Sequence, residues 1–314
     1  MAAKRKRGER DSPCLPRIAA GRYDDGMPLD PMRYLQCKVI LRPNHFTSRP
    51  RLIGFARVLQ RPAKSAGVAL RTKGYSERPL RVREVQFLDT ADRRLYNRAF
   101  ILRQRIAYHD GFPDGDPEIV FKFRHPDAQQ AAEMDLRPNI PDDYRIKFKA
   151  QAVPLRDGLG GVRMLYSHNV QFALNGHSVG EGDPNTLDMI VDALPQLRAI
   201  SHRPGERVEL VNGTIVEEII QDLGELDFGG GHRAVVTIGL WRTRGEHRPL
   251  VGELSYQLKA KGCGDITAVE PRALARCRAF FTQLQREARD YVYLGATKTG
   301  LVYRLHGNPP NSHE

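Results

Sequence analysis

The sequence has few of the features that mark membrane proteins, secreted proteins or zinc proteins. It contains 314 residues but only four cysteines. These are scattered without a CxxC pair, so we expect neither a structural zinc site nor a disulfide framework, and a cytoplasmic location. The longest apolar runs, such as Ala234–Leu240, fall far short of the roughly 20 residues that a membrane helix needs, so no membrane partner is expected. The basic start, Met1–Arg7, is not followed by an apolar stretch, and we expect no secretory signal.

Several familiar catalytic motifs are also missing. The ten histidines show no HxxxH or HExxH spacing, which argues against a zinc hydrolase. No serine lies in a GxSxG elbow, which argues against a serine hydrolase. The glycine-rich segment Gly158–Val162 lacks the following Lys-Ser/Thr of a Walker loop and is interpreted as a plain turn.

What the sequence does have is positive charge. Lysine and arginine number 49 against 37 acidic residues, which gives a formal net charge of +12. Such an excess favours an anionic partner, whether nucleic acid, a membrane surface or a phosphorylated small molecule. The choice depends on whether the cations lie along a surface or converge in a pocket.

Many segments alternate with a period of two, which is typical of half-buried strands. The predicted strands are Leu35–Leu41, Arg83–Asp89, Ala99–Tyr108, Glu118–Arg124, Asp143–Ala150, Val208–Val211, Thr214–Gln221, Arg233–Thr243 and Leu250–Ala260. Several of them place two or three cations on one face. In an open sheet such charged faces are exposed to solvent. In a closed barrel they can converge in the interior, because interior and exterior positions alternate along every strand.

The remaining segments complete an α+β prediction. Apolar spacing predicts helices over Asn44–Gln60, Thr186–Ser201 and Glu270–Tyr291. We expect residues 1–31 to be a disordered basic tail, residues 32–300 to be one barrel domain with an inserted middle segment, and residues 301–314 to be a polar tail. The absence of a strict βαβ alternation argues against a doubly wound parallel sheet.

One run of residues resembles a known family. FLDTADRRLYNRAFILRQRI (Phe87–Ile106), followed by IVFKFR (Ile119–Arg124), is similar to the CYTH proteins, the triphosphate tunnel metalloenzymes. Asp89-Thr90, the Leu-Arg-x-Arg motif of Leu102–Arg105, and Lys122 match the family's pattern in order, and a Gly-Glu-Leu motif (Gly252–Leu254) follows later. The resemblance implies a closed antiparallel barrel of about eight strands with flanking helices, surrounding a charged tunnel.

The resemblance also implies ligand-binding residues. By this comparison, phosphates are bound by Lys38, Arg103, Arg105, Lys122 and Arg124. A divalent metal, Mg²⁺ or Mn²⁺, is bound by Glu253 with Glu217 and Gln36. Asp89 is interpreted as a cap of the turn after its strand rather than as a metal ligand.

The chain departs from the family at the metal ligands. The family opens with Glu-x-Glu-x-Lys, but here the matching segment is Tyr34–Lys38, in which Tyr34 and Gln36 replace both carboxylates. The Glu-x-Glu of the closing strand keeps only Glu253, since Ser255 takes the second place. A glutamine still offers a carbonyl oxygen to a metal, but without charge. Phosphate binding therefore follows from the resemblance more directly than catalysis does.

We therefore expect a CYTH-like tunnel that binds a triphosphate-bearing small molecule or inorganic polyphosphate. If the protein is an enzyme, we expect it to hydrolyse triphosphates with the help of a divalent metal. One alternative is a non-catalytic polyphosphate or nucleotide sensor on the same barrel. A second, less favoured alternative is a nucleic-acid-binding protein that uses Lys4–Arg7 with Arg145, Lys147 and Lys149. No residue is predicted to act as the catalytic group.

Overall fold

The strands of the protein form one sheet that closes on itself. The computed structural model describes residues 15–306 except 142, 174–185, 201 and 263. The strands are β1 Met32–Leu41, β2 Ala69–Arg71, β3 Arg81–Asp89, β4 Phe100–His109, β5 Phe112–His125, β6 Tyr144–Val153, β7 Arg163–Ala173, β8 Glu209–Leu210, β9 Val216–Asp227, β10 Arg233–Thr243 and β11 Pro249–Lys259. Nine of them make a ring in the order β9-β10-β11-β1-β6-β7-β5-β4-β3, and pairing of β3 with β9 closes it.

The ring is mixed rather than purely antiparallel. Strands β1 and β6 are parallel neighbours, with Gln36 opposite Gln151, while the other neighbours in the ring are antiparallel. A ring with an odd number of strands cannot alternate direction all the way round, so at least one parallel pair is required. The predicted closed α+β barrel is therefore confirmed, but with nine strands rather than about eight and with one parallel pair.

The additional strand is β7, for which the sequence analysis gave no prediction. It lies between β5 and β6 and is antiparallel to both. Its central residues Ser167, His168 and Asn169 are polar and buried in succession. Because three consecutive polar residues occupy both faces, the strand lacks the alternation by which its neighbours were predicted.

Seven helices flank the barrel in the described part of the chain. They are α1 Arg49–Gly54, α2 Ala56–Ser65, α3 Arg94–Asn97, α4 Ala128–Glu133, α5 Leu187–Ala193, α6 Pro271–Glu287 and α7 Lys298–Tyr303. The helix predicted over Asn44–Gln60 is thus two helices, and the one predicted over Thr186–Ser201 is α5 followed by a 3-10 helix, Pro195–Ala199. The break falls at Leu194, because a residue that precedes proline is disfavoured in the α conformation.

The apolar core lies mainly outside the barrel wall, between the sheet and its helices. On β1, the outward residues Cys37, Val39 and Leu41 are buried in this core, and Cys37 meets Cys277 of α6 with their Sγ atoms 3.8 Å apart. The opposite face of the same strand points into the barrel. A period of two thus separates an apolar exterior face from a polar interior one.

A second, smaller apolar cluster fills one end of the barrel. Inward residues there, including Phe87, Ile101 and Trp241, pack against Val302 and Tyr303 of α7. The barrel interior is therefore polar along its middle and apolar at the end that α7 covers.

Parts of both predicted tails lie within the described residues. Residues 1–14 of the predicted basic tail, with Lys4–Arg7, lie outside the described residues. Beyond them, Leu15, Ile18 and Leu29 pack against the core, because they are apolar side chains within a mainly polar segment. Residues 301–303, the first of the predicted polar C-terminal tail, belong to α7. Among the described residues, no helix combines the length and the apolar character required to cross a bilayer.

Candidate functional site

A cavity of about 340 Å³ lies inside the barrel, and its described lining is strongly basic. Nine lysine and arginine side chains face two carboxylates, Glu218 on β9 and Glu253 on β11. The basic residues of the lining are Lys38, Arg81, Arg83, Arg103, Arg105, Lys122, Lys147, Lys149 and Lys298. Such an excess of positive charge in a concave site attracts anions.

The predicted phosphate-binding residues lie together. Lys38, Arg103, Arg105 and Lys122 line this cavity. Arg124 follows Lys122 on the same face of β5 and lines an adjoining chamber of about 40 Å³, to which Lys38, Arg103 and Lys122 also contribute. Three separate strands supply these side chains, and closure of the barrel brings them together. Their role as phosphate ligands remains a prediction.

Four of the cations form what we call the basic wall: Lys38, Arg103, Lys122 and Lys149. Within the described part of the chain, none of the four makes an ion pair, and the Nε atom of Arg103 is buried without a hydrogen-bond partner. Lys122 is only 8% exposed, and what remains exposed of these side chains faces the cavity. Lys38, Arg103 and Lys149 are half-buried. Charges that have lost much of their contact with water are normally paired in proteins, so the basic wall is unusual.

Burial and mutual repulsion make charge costly in the basic wall. Burial, reinforced by the charges of Arg124 and Arg103, holds the pKa of Lys122 well below its usual range. Burial also lowers the pKa of Lys38 to about 8, and burial together with the charge of Lys38 lowers the pKa of Lys149 to about 7. The charge of Glu253 opposes the lowering of the Lys38 pKa but does not outweigh burial. The shifts have the direction expected for buried amines.

Two other cations of the cavity lining, Arg105 and Lys147, do have polar partners. Arg105 Nη1 lies 3.4 Å from Glu118 Oε2, and Lys147 Nζ donates to Gln171 Oε1 over 2.6 Å. Arg145, which the sequence analysis grouped with Lys147 and Lys149, is exposed and is not part of the described cavity lining.

The two carboxylates of the cavity, which we call the acidic corner, both pair with Lys298. Lys298 Nζ lies 2.8 Å from Glu218 Oε1 and 2.9 Å from Glu253 Oε1. Arg83 Nε donates to the other oxygen of Glu218. Burial alone raises the pKa of Glu218, but the charges of Lys298 and Arg83 outweigh it and hold this pKa well below its usual range. The pKa of Glu253 is lowered for the same reason, by Lys298 and Lys38 against its burial.

Helix α7 fixes the position of Lys298. The side chain of Thr297 caps the helix by accepting from the N–H of Gly300 over 3.0 Å. At the other end of the helix, the fully buried Tyr303 stacks on Tyr96 at a centroid distance of 4.1 Å and donates to Asp89 Oδ2 over 3.0 Å. The lysine therefore projects from a helix that is anchored at both ends.

Asp89 itself organises the turn after β3, as the sequence analysis expected. Its carboxylate accepts from the backbone N–H groups of Thr90, Leu95 and Tyr96 over 2.8–3.0 Å. With the hydroxyl of Tyr303 as a further donor, this buried carboxylate is satisfied by hydrogen bonds. It links the motif after β3 to the helix that carries Lys298.

Of the predicted metal-binding residues, Gln36 and Glu253 both line the cavity, but their side chains have other partners. Glu253 is occupied by Lys298, and the side-chain oxygen of Gln36 accepts from Gln151 Nε2 over 3.1 Å. Glu217 is not part of the described cavity lining and pairs with Arg242 through its Oε1. No group of three or more His, Cys, Asp or Glu side chains among the described residues is arranged to hold a metal ion. The donor set therefore does not fit Mg²⁺ or Mn²⁺, which prefer several free oxygen ligands.

Sequence reasoning identified Glu253 of the acidic corner but named Glu217 instead of Glu218 as the second carboxylate. The segment Val216–Gln221 reads VEEIIQ, in which each face of a strand receives one Glu and one Ile. Alternation therefore cannot decide whether Glu217 or Glu218 points inward. Lys298 gave no local signal either, because its partner Glu218 lies 80 residues away in sequence.

The fold and its interior define a closed β-barrel protein with a basic tunnel. No family model matches the chain, and no curated protein matches it. Solved structures do match. One is a proposed adenylyl cyclase from Hippeastrum described as having a dominant triphosphatase activity, at 12% identity over 87% of this chain and 95% of that chain, with a TM-score of 0.40.

Two further solved structures are proposed adenylate cyclases. The one from Bacillus halodurans is 9% identical over 85% of this chain and 95% of that chain, with a TM-score of 0.36. The one from Vibrio parahaemolyticus is 10% identical over 87% of this chain and 99% of that chain, with a TM-score of 0.30. The chemistry of the tunnel in this protein is therefore inferred from its own residues.

Proposed function

We propose that the tunnel binds a triphosphate-bearing small molecule or inorganic polyphosphate, held by the basic wall and by Arg105 and Arg124. One observation carries this proposal. The four cations of the basic wall are enclosed in the barrel without an ion-pair partner among the described residues. Arginine and lysine on rigid strands replace the hydration of phosphate oxygens with little reorganisation.

The spread of the cations supports a chain of phosphates rather than a single one. The basic wall draws on β1, β4, β5 and β6, and Arg124 extends it into the adjoining chamber. Several separate charged groups on the ligand are needed to meet cations on four strands. Free tripolyphosphate is therefore the simplest probe.

Binding is better supported than metal-dependent hydrolysis, because the acidic corner is already neutralised by Lys298 and Arg83. Nucleic-acid binding is less favoured because Lys147 and Lys149 face the tunnel. Cations inside a barrel cannot follow the phosphates of a duplex, which are contacted along a surface.

The test is calorimetric titration of tripolyphosphate, in EDTA, into the wild type and the double variant Arg103→Ala, Lys122→Ala. A hydrogen bond to a charged group is worth about 1.5–3 kcal/mol. Losing both cations is therefore expected to weaken binding by about 100-fold or more. The matched control is Arg61→Ala, Arg289→Ala, which removes the same charge from exposed positions and should bind like the wild type. Unchanged affinity in the tunnel variant would overturn the site assignment.

Phosphate release from tripolyphosphate, thiamine triphosphate and ATP, with Mg²⁺, Mn²⁺ or EDTA, separates binding from hydrolysis. We expect no metal-dependent release from the wild type. Release that needs metal and disappears in the Arg103→Ala, Lys122→Ala variant would instead establish a tunnel hydrolase.

A further inference from the structure

The ammonium group of Lys298 lies between two carboxylates, Glu218 and Glu253. Its Nζ atom lies 2.8 Å from Glu218 Oε1 and 2.9 Å from Glu253 Oε1. Both carboxylates are buried, at 2% and 7% exposure. Two buried carboxylates that approach one another this closely need a cation between them, and here the chain itself supplies that cation.

The surroundings hold Lys298 in this bridging position. Its Nζ atom lies 4.5 Å from the ring centroid of Trp241, within the range of a cation–π contact. The helix that carries it is anchored through Tyr303 to Asp89. The second oxygen of Glu218 is taken by Arg83. A divalent ion would have to displace a tethered charge that cannot diffuse away.

We propose that Lys298 is the resident cation of the tunnel, in the place of a divalent metal, and that the tunnel takes its polyphosphate ligand as the metal-free anion. A ligand already complexed with Mg²⁺ would bring positive charge towards Lys298 and the basic wall. The second half of the inference, on the form of the ligand, rests on the proposed function. The first half, on Lys298, concerns metal affinity and can be tested without any phosphate.

The first experiment titrates Mn²⁺ alone, followed by electron paramagnetic resonance, into the wild type, Lys298→Gln and Lys298→Ala. Removing the ammonium frees an oxygen on each of Glu218 and Glu253, which are the oxygen ligands that divalent ions prefer. We expect no stoichiometric binding to the wild type at millimolar Mn²⁺. We expect one Mn²⁺ per chain in both variants, at least about tenfold tighter than in the wild type.

The control is Lys147→Gln, which removes a tunnel lysine that contacts Gln171 and not the acidic corner. It should behave like the wild type. A stabilising thermal shift with Mn²⁺, seen for the Lys298 variants alone, provides a second readout that also reports whether they fold. One-site Mn²⁺ binding by the wild type would overturn the inference, and so would folded Lys298 variants that bind no Mn²⁺.

The second experiment uses the wild type alone and therefore does not depend on the variants folding. Tripolyphosphate is titrated at increasing Mg²⁺. We expect the apparent affinity to fall in proportion to the fraction of ligand that remains free of Mg²⁺, and a rise in affinity with Mg²⁺ would overturn the inference. If tripolyphosphate does not bind even in EDTA while the Mn²⁺ results are as expected, the proposed function fails but the role of Lys298 stands.

Discussion

The two sides of the tunnel differ in whether their charged side chains have ion-pair partners. On the basic wall, four cations are enclosed without an ion-pair partner among the described residues. At the acidic corner, two buried carboxylates share one lysine, and Glu218 also pairs with Arg83. Unpaired buried charge is costly and is kept where a ligand compensates it, whereas paired charge is already satisfied. The contrast supports the proposal that the tunnel binds an anion.

The largest expected effect comes from breaking the acidic corner. Glu218→Gln removes the carboxylate that neutralises Lys298 and Arg83. Removing one partner of a buried ion pair costs about 3–5 kcal/mol when the remaining charge is left uncompensated. Here Lys298 keeps Glu253 as a partner and the Arg83 side chain is 31% exposed, so we expect a smaller loss of about 2–3 kcal/mol. The loss should appear as a lower midpoint of urea unfolding.

The neighbouring residue provides the matched control for this prediction. Glu217→Gln changes the adjacent position of β9, where the carboxylate lies outside the described cavity lining and pairs with Arg242. Pairs of this more exposed kind contribute about 0–1 kcal/mol. Equal losses of stability in the two variants would contradict the difference between the two faces of β9.

Glu217 and Glu218 also show what can and cannot be predicted from the sequence. Alternation predicted most strands of the ring, and the Leu-Arg-x-Arg motif of β4 indicated which face carries the basic residues. Alternation cannot, however, choose between Glu217 and Glu218, because each face of VEEIIQ carries one Glu and one Ile. Strand β7 was missed for a related reason, since its three consecutive buried polar residues hide the period of two.

The contacts of Lys298 with the acidic corner could not be predicted from the sequence. The bridge from Lys298 to Glu218 and Glu253 depends on how α7 packs against one end of the barrel. That packing uses the cluster of Phe87, Trp241 and Tyr303, which only ring closure brings together. Lys298 lies within a segment of ordinary composition, so neither motif nor spacing marks it.

A smaller effect is expected in the pH dependence of tripolyphosphate binding to the basic wall. Lys149 has a pKa of about 7 and Lys38 one of about 8, both lowered chiefly by burial. As pH rises through these values the amines lose their protons, so affinity for tripolyphosphate should fall. The loss should amount to about tenfold for each charge-assisted contact that disappears.

Lys149→Arg tests the origin of this pH dependence. An arginine side chain stays protonated throughout the range, so the variant should keep its affinity further into alkaline pH than the wild type does. Because both proteins are titrated with the same ligand, protonation of tripolyphosphate itself affects both curves equally. Superimposable curves would mean that Lys149 does not contact the ligand or does not titrate in this range.

The smallest effect concerns the stability of the protein without ligand. Burial and the charges of Arg124 and Arg103 hold the pKa of Lys122 well below that of an unfolded lysine, so the unfolded chain keeps its proton to higher pH than the folded protein does. At neutral pH the proton on Lys122 therefore favours unfolding, and stability rises with pH until the unfolded lysine also titrates. Lys122→Met keeps the length of the side chain and removes this cost. We expect the variant to be more stable than the wild type by about 1 kcal/mol while it binds tripolyphosphate more weakly.

The matched control is Lys298→Met at the acidic corner. This variant should be less stable than the wild type, because it leaves two buried carboxylates without their shared cation. Thermal unfolding of both variants without ligand measures the two signs, and a loss of stability in Lys122→Met would show that this lysine is satisfied within the folded protein and is not held for an anion.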